Sequence, residues 1–371
     1  MHKNTNSILY VNDFNKGDKC FLFSNFPLSQ SLYEKLPIEL FPGVSIAKTP
    51  CHAINNAEGN FSTKAENVPV IAHIYPEYLI GRGVVHACIK IDNNISEAQK
   101  GSFFWAAVGA LIIVKPIFLS LSGAFIYGDQ NRFICTPEKL NYKTNLSLNA
   151  IQQQCNFDKN FLNYDARDLE LAKAILPKIL NILNSGDSMP RVLYNLSMFF
   201  QLLFWENLNF ESSIFSKIFP LLDSFSCNPS YKHNEKVSSR IANFLGDITC
   251  INSEKNFSKE EIEARIKCIW ELYRYPELHG HLKLPTTQST FTKDLFDLFE
   301  ISRLCIYKML ILSESDFENY LKISIPKFGL SLSDAKDNNK IRDNEASLFF
   351  NKPYENFPEL ISFFDFTNKL V

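Results

Sequence analysis

The sequence lacks the motifs that mark the common cofactor- and metal-dependent enzymes. It has no G-x-x-x-x-G-K-[ST] phosphate loop, no strand-associated G-x-G-x-x-G and no G-x-S-x-G elbow. Its nine cysteines form no C-x-x-C pair, and the neighbours Cys51-His52 and His86-x-Cys88 have no second pair at zinc-like spacing. P-loop hydrolysis, dinucleotide redox chemistry and nucleophile-elbow hydrolysis are therefore disfavoured, and we expect no cofactor and no metal.

An excess of charge of either sign is also missing. The 371 residues include 38 Lys and Arg against 40 Asp and Glu, for a formal net charge of -2. Bulk attraction to a polyanion is excluded by this balance, so any nucleic-acid site must be local. The odd number of scattered cysteines suits a reducing compartment, and residues 1–15 lack the apolar core of a signal peptide. We therefore expect a cytoplasmic protein.

One apolar stretch, residues 103–127, requires comparison with a membrane span. Its first uninterrupted run, residues 103–114, is too short to cross about 30 Å of hydrocarbon as a helix. Lys115 and Pro116 would then fall in the middle of a spanning helix, where a charge is costly. The sequence predicts a buried helix followed by a buried strand, with no membrane contact. A membrane-associated protein is the alternative, and it would require detergent to stay in solution.

The first 150 residues have the pattern of a mixed α/β domain with more strand than helix. A helix is predicted over residues 98–114, because Ser96 and Gln99 have capping-box spacing and Lys115-Pro116 ends the run. We assign this domain a sensor or regulatory character. The predicted strands are residues 7–11, 19–24, 44–48, 68–74, 84–91 and 117–127.

After residue 150, apolar residues recur three and four positions apart, which is typical of helices. Residues 151–330 are therefore predicted to form an all-α bundle, so that the fold class is α+β. The polar run 331–344 predicts a linker, and the Phe-rich residues 348–371 predict a tail that docks onto the body. The predicted helices are residues 165–184, 191–207, 212–225, 234–249, 259–274 and 291–312.

The end of the fifth predicted helix holds the main candidate site. Residues 270–281 read WELYRYPELHGH, so Arg274 is followed by His279 and His281. On a regular helix five residues advance about 500°, which places Arg274 and His279 about 140° apart. Pro276 cannot continue a regular helix without losing a hydrogen bond, so we predict a kinked or ending helix in which the two side chains can converge.

The sequence around this site resembles the ApeA-like HEPN family. The resemblance rests on four segments in matching order, residues 205–208, 236–246, 272–280 and 301–304, and it covers about residues 190–315. It implies a HEPN helical bundle that pairs into a homodimer, with two R-x4-H sets lining one cleft. It further implies an endoribonuclease with a role in antiviral (phage) defence or toxin-like growth arrest. The near-neutral charge is compatible with a narrow RNA site, or with activation by a trigger at the N-terminal domain. Tyr275 and Pro276 depart from the family pattern.

The residue types suit metal-independent RNA cleavage. Histidine can act as both base and acid near pH 7, so the resemblance makes His279 the acid/base, with His281 as the second choice. Arg274 would stabilise the charge on the phosphate, and Glu206 would orient either partner from a facing helix. In the alternative reading Arg274 caps a helix end and His279 is a packing residue. The chain is then a catalytically inactive HEPN-like dimeric module that binds a protein or a nucleotide.

Overall fold

The computed structural model describes fourteen stretches of the chain, which divide into two compact units. The first unit holds residues 1–144 and 158–184, and the second holds residues 145–157 and 185–371. The described part of the first unit combines six strands with three helices, and that of the second is mostly helical, so the chain has an α+β fold. The described residues are 14–23, 26, 28–48, 87–116, 121–127, 133–135, 163–184, 190–204, 215–226, 233–250, 255–279, 288–311, 360–362 and 366.

Eight helices and nine strands lie within these residues. The helices are α1 (Gln30–Tyr33), α2 (Glu97–Val114), α3 (Ala166–Asn184), α4 (Pro190–Phe204), α5 (Phe215–Ser226), α6 (His233–Leu245), α7 (Lys259–His279) and α8 (Gln288–Ile311). The strands are β1 (Lys19–Phe23), β2 (Ile38–Phe41), β3 (Val44–Lys48), β4 (Ala87–Ile91), β5 (Leu121–Tyr127), β6 (Phe133–Cys135), β7 (Ile248–Cys250), β8 (Lys255–Phe257) and β9 (Ile361–Ser362).

The first unit is built on a six-stranded antiparallel sheet in the order β2-β3-β4-β1-β5-β6. The strands predicted at 19–24, 44–48, 84–91 and 117–127 are confirmed as β1, β3, β4 and β5 over their described parts. The strands predicted at 7–11 and 68–74 lie outside the described residues. A hairpin that was not predicted joins β2 to β3 through Pro42 and Gly43. Gly43 has a φ of 81°, which a glycine adopts at little cost.

Helix α2 confirms the predicted helix at 98–114 and packs against β3, β4 and α3. Its residues 106–114 are all buried, and Phe104 stacks on Phe21 with ring centroids 3.9 Å apart. The capping box at its start is not formed, because the Ser96 hydroxyl donates to the side chain of Gln99 at 2.8 Å. Among the described helices, none has both the length and the apolar character that crossing a membrane requires.

Helix α3 packs against α2 in the first unit, although the sequence-based boundary at residue 150 assigns it to the helical bundle. The Lys115 ammonium at the end of α2 donates to Asp168 at 2.6 Å and to the Asn163 carbonyl at 2.7 Å. Asp168 also accepts from the backbone N–H of Asp165, which caps the first turn of α3. This ion pair ties α3 to the end of α2, and it joins residues too far apart in sequence for periodicity to reveal.

The second unit is a helical bundle with a small sheet at its edge. Helix α5 contacts α4, α6, α7 and α8, and every residue of α8 from Asp294 to Leu310 is buried. The strands form a three-stranded sheet in the order β8-β7-β9, so the prediction of an all-α domain was wrong. The helix predicted to run to Thr249 ends at Leu245. Gly246, with a φ of 75°, donates its N–H to the Ala242 carbonyl and turns the chain into β7.

Candidate functional site

Helix α7, which carries Arg274 and His279, begins with a reciprocal capping box. The backbone N–H of Ser258 donates to the Glu261 carboxylate at 3.0 Å, and the N–H of Glu261 donates to the Ser258 hydroxyl at 3.4 Å. These bonds satisfy two N–H groups that have no partner within the helix. The bond from Ser258, with a smaller contribution from Lys255, lowers the pKa of the Glu261 carboxyl. The predicted start of this helix is confirmed.

One face of α7 is apolar and buried against its neighbours. Ile262, Ile266, Ile269 and Trp270 repeat at helical spacing and are each at most 1% exposed. The Trp270 ring lies 4.6 Å from the ring of Phe219 on α5, centroid to centroid. Contacts with α5 and α6 cover this face, so the path of α7 is set by core packing.

Five polar side chains between α7 and α8 form what we call the Arg265 cluster: Arg265, Tyr273, Lys293, Asp294 and Asp297. The Arg265 guanidinium lies 2.5 Å from a carboxylate oxygen of Asp294 and 2.5 Å from one of Asp297. The Tyr273 hydroxyl donates to the second oxygen of Asp294, and the Lys293 ammonium lies 3.1 Å from Asp297. Two carboxylates therefore face two cations, which compensates the charge that α8 buries.

The Arg265 cluster is arranged to hold α7 against α8 and leaves no place for a metal ion. The guanidinium itself occupies the position between the two carboxylates, and no group of metal-ligating side chains occurs among the described residues. Burial and the hydrogen bond to Asp294 raise the pKa of the Tyr273 phenol. The phenol therefore stays protonated and keeps donating at neutral pH. Since Tyr273 directly precedes Arg274, the cluster fixes the backbone from which Arg274 extends.

The structure places two of the four candidate residues on one helix. Helix α7 continues past the predicted end at Arg274 and stops at His279, with Pro276 in its last turn. The side chains of Arg274 and His279 lie outside the described residues, and so do Glu206 and His281 entirely. Arg274 and His279 therefore both lie in the last two turns of α7, on a helix that runs through both positions and does not end at Arg274.

Comparison of the chain with protein-family models, with curated proteins and with solved structures finds no match.

A second buried ion pair lies farther along α8. Arg303 and Glu300 are at most 1% exposed and form two hydrogen bonds of 2.7 Å. The pair also binds the C-terminal strand: the Ile361 carbonyl accepts from Arg303 at 3.1 Å, and the Ser362 hydroxyl lies 3.2 Å from Glu300.

Sequence reasoning missed the carboxylates of α8 and their partner Arg265. A signal was present, since Asp294, Asp297 and Glu300 recur every three residues among the apolar residues Leu295, Phe296, Leu298 and Phe299. Acidic residues at that spacing share one face of a helix, and a buried face of this kind requires cations opposite.

Proposed function

We propose that the second unit is a metal-independent endoribonuclease of the HEPN type that acts through Arg274 and His279. The observation that carries the proposal is the placement of both residues in the last two turns of α7, directly after Tyr273. Tyr273 donates to Asp294, and Asp294 pairs with Arg265, so buried bonds fix the backbone directly before Arg274. Further support comes from the order of the helices. Helices α4, α6, α7 and α8 carry or flank, in this order, the four segments that resemble the ApeA-like HEPN family.

The chemistry requires a base, a positive charge and an acid. A base removes the proton of the ribose 2′-hydroxyl, and the 2′-oxygen then attacks the adjacent phosphorus. The bond from phosphorus to the 5′-oxygen breaks, and the departing oxygen takes a proton, leaving a 2′,3′-cyclic phosphate and a 5′-hydroxyl. The His279 imidazole serves the proton transfers, because its ordinary pKa is about 6.5. The Arg274 guanidinium stabilises the negative charge of the phosphorane.

A site built from two copies of the chain suits this helix. On a regular helix the Cα positions of Arg274 and His279 lie about 140° apart, so one helix does not direct both toward one phosphate. A homodimer with two R-x4-H sets in one cleft removes this constraint, because Arg274 of one copy can work with His279 of the other.

The first unit would then serve regulation. It is a separate compact unit with its own sheet, and it would bind the trigger that activates the nuclease. The formal charge of -2 suits a narrow RNA site in place of a broad basic surface. The role that follows is cytoplasmic phage defence or toxin-like growth arrest.

The second candidate is a catalytically inactive HEPN-like dimeric module. It is favoured by Pro276, which lies between the two candidate residues in the last turn of α7 and has no backbone N–H to donate. In this case Arg274 and His279 would bind a nucleotide or a protein partner. Such a module would not depend on the imidazole for any reaction.

The test is cleavage of a mixed RNA pool in excess EDTA by the native chain and by Arg274→Ala, His279→Ala and His233→Ala. The last is the matched histidine control, and all four proteins are compared at matched thermal stability. We expect cleavage by the native and His233→Ala chains, with 2′,3′-cyclic phosphate ends, and its loss in the other two. Equal cleavage by all four proteins contradicts the assignment of the activity to Arg274 and His279 and favours the binding module.

A further inference from the structure

The small sheet of the second unit is completed by residues from the far C-terminus. Thr249 and Cys250 of β7 pair in parallel with Ile361 and Ser362 of β9, and the Thr249 N–H donates to the Leu360 carbonyl at 3.0 Å. In sequence, residues 312–359 separate this strand from the end of α8. Without β9, strand β7 would present an open edge with backbone groups ready to pair.

A built polar site lies beside that edge. The ion pair of Arg303 and Glu300 is at most 1% exposed, and it makes one bond to the backbone and one to a side chain of the C-terminal strand. The side-chain contact is the Ser362 hydroxyl, which is itself fully buried. A buried carboxylate that accepts from a hydroxyl discriminates strongly against two kinds of residue at that position. One kind has no hydrogen-bond donor, and the other carries a negative charge.

Apolar contacts flank the polar site on both sides. Leu360 is 5% exposed, and Phe366 is 3% exposed with its ring edge-on to Phe257 of β8 at 5.6 Å between centroids. Backbone pairing, one buried hydroxyl contact and flanking apolar anchors are the features of peptide recognition by strand addition. The paired strand is only two residues long, which is short for a strand integral to a sheet.

We propose that the edge of β7, with Arg303, Glu300 and Phe257, is a peptide-binding site whose ligand is the C-terminal segment of this chain. The ligand is an extended segment with a leucine, a hydroxyl residue two positions later and a phenylalanine four positions after that. Residues 360–362 and 366 of the same copy occupy the site in the structure, and the same segment of a second copy can replace them. The pairing is short, so opening breaks few backbone bonds and otherwise releases only the contacts that the segment remakes in a second copy.

Exchange between copies is allowed by the length of chain that precedes the segment. A chain spans at most about 3.3–3.6 Å per residue, so residues 312–359 give ample reach to a neighbouring molecule. Reciprocal exchange of identical segments joins two copies at little cost, because each site makes the same contacts as before. The site thus offers a second copy of this chain a defined point of attachment.

The experiment uses the full chain with a protease site inserted into the polar run 331–344 and cut after folding. A fluorescent peptide of residues 356–371, NFPELISFFDFTNKLV, is then added, and its binding is followed by anisotropy. The matched control peptide carries Ser362→Asp, which sets a carboxylate against Glu300 without altering the protein. A second control peptide carries Phe366→Ala. The uncut chain is measured in parallel, because its tethered segment competes at high effective concentration.

We expect saturable binding of the native peptide to the cut chain, and at least tenfold weaker binding of both control peptides. The uncut chain should bind the native peptide at least tenfold more weakly than the cut chain. Equal binding of the native and Ser362→Asp peptides overturns the proposal. Failure of the cut chain to take up any peptide overturns it as well, since the segment would then be a permanent part of the fold.

Discussion

Arg265 of α7 and Asp294 of α8 form a buried ion pair, with 2.5 Å between a guanidinium nitrogen and a carboxylate oxygen. Asp294 uses its other oxygen to accept from Tyr273, the residue before Arg274. The position of the candidate arginine is therefore connected to the bundle core through two bonds. The same two bonds therefore stabilise the bundle core and hold the backbone next to the proposed catalytic arginine.

Replacing Arg265 with alanine should destabilise the second unit strongly. The change leaves Asp294 and Asp297 buried with too few cations, and breaking a buried pair costs about 3–5 kcal/mol. Lys293→Ala is the matched control, because Lys293 is 42% exposed and contacts the same Asp297. We expect the control to cost at most about 1 kcal/mol. Urea unfolding followed by circular dichroism measures both losses, and equal losses would show that the Arg265 guanidinium is not the main partner of the two carboxylates.

Lys308 should make stability depend on pH. Burial lowers the pKa of its ammonium group from 10.5 to about 8. Between these values the unfolded chain binds more protons than the folded chain, so the free energy of unfolding rises with pH. The rise attributable to Lys308 is about 1 kcal/mol from pH 8 to pH 9. The measurement is the difference in unfolding free energy between the native chain and Lys308→Met at both pH values, and a difference independent of pH would contradict the assignment.

Asp168→Ala should destabilise the first unit. The change removes the carboxylate that accepts from the Asp165 N–H at the start of α3, and it leaves Lys115 buried without its carboxylate, a loss of about 3–5 kcal/mol. Glu170→Ala is the control on the same helix, since Glu170 is 70% exposed in its pair with Lys173. Hydrogen exchange should show lost protection in α2 and α3 for Asp168→Ala alone. Loss confined instead to α7 and α8 would contradict the assignment of α3 to the first unit.

A composite site predicts complementation between inactive variants. If Arg274 of one copy works with His279 of the other, a mixed dimer of Arg274→Ala and His279→Ala retains one intact pair. Random pairing makes half of the dimers mixed, and each mixed dimer has one of its two sites intact. Mixing the two inactive proteins should then restore roughly a quarter of the native cleavage rate. RNA cleavage after co-refolding measures this, and no recovery would place both residues of a pair in the same copy.

Local patterns predicted most of the helices and their starts. Ser258 and Glu261 have the spacing of a capping box, and the structure confirms it through both reciprocal bonds. Two local signals were available but not used. Pro42-Gly43 marks the turn between β2 and β3, and Gly246 marks the end of α6, since glycine at positive φ commonly terminates a helix.

The remaining features depend on residues far apart in sequence. Lys115 meets Asp168 and Arg265 meets Asp294, and periodicity alone carries no information on such pairs. Strand β9 depends on a two-residue pairing with β7, which is too short to stand out in a sequence. The candidate residues Arg274 and His279 could be proposed from sequence, whereas the buried bonds that support Arg274 required the fold.

The most direct test of the nuclease proposal is the single-turnover cleavage rate of RNA in EDTA for the native chain and His279→Ala. Loss of a general acid or base typically lowers a rate by about 10²–10⁴-fold, and we predict a loss in that range. A rate within threefold of the native chain, at matched thermal stability, would contradict the claim that the His279 imidazole performs the chemistry.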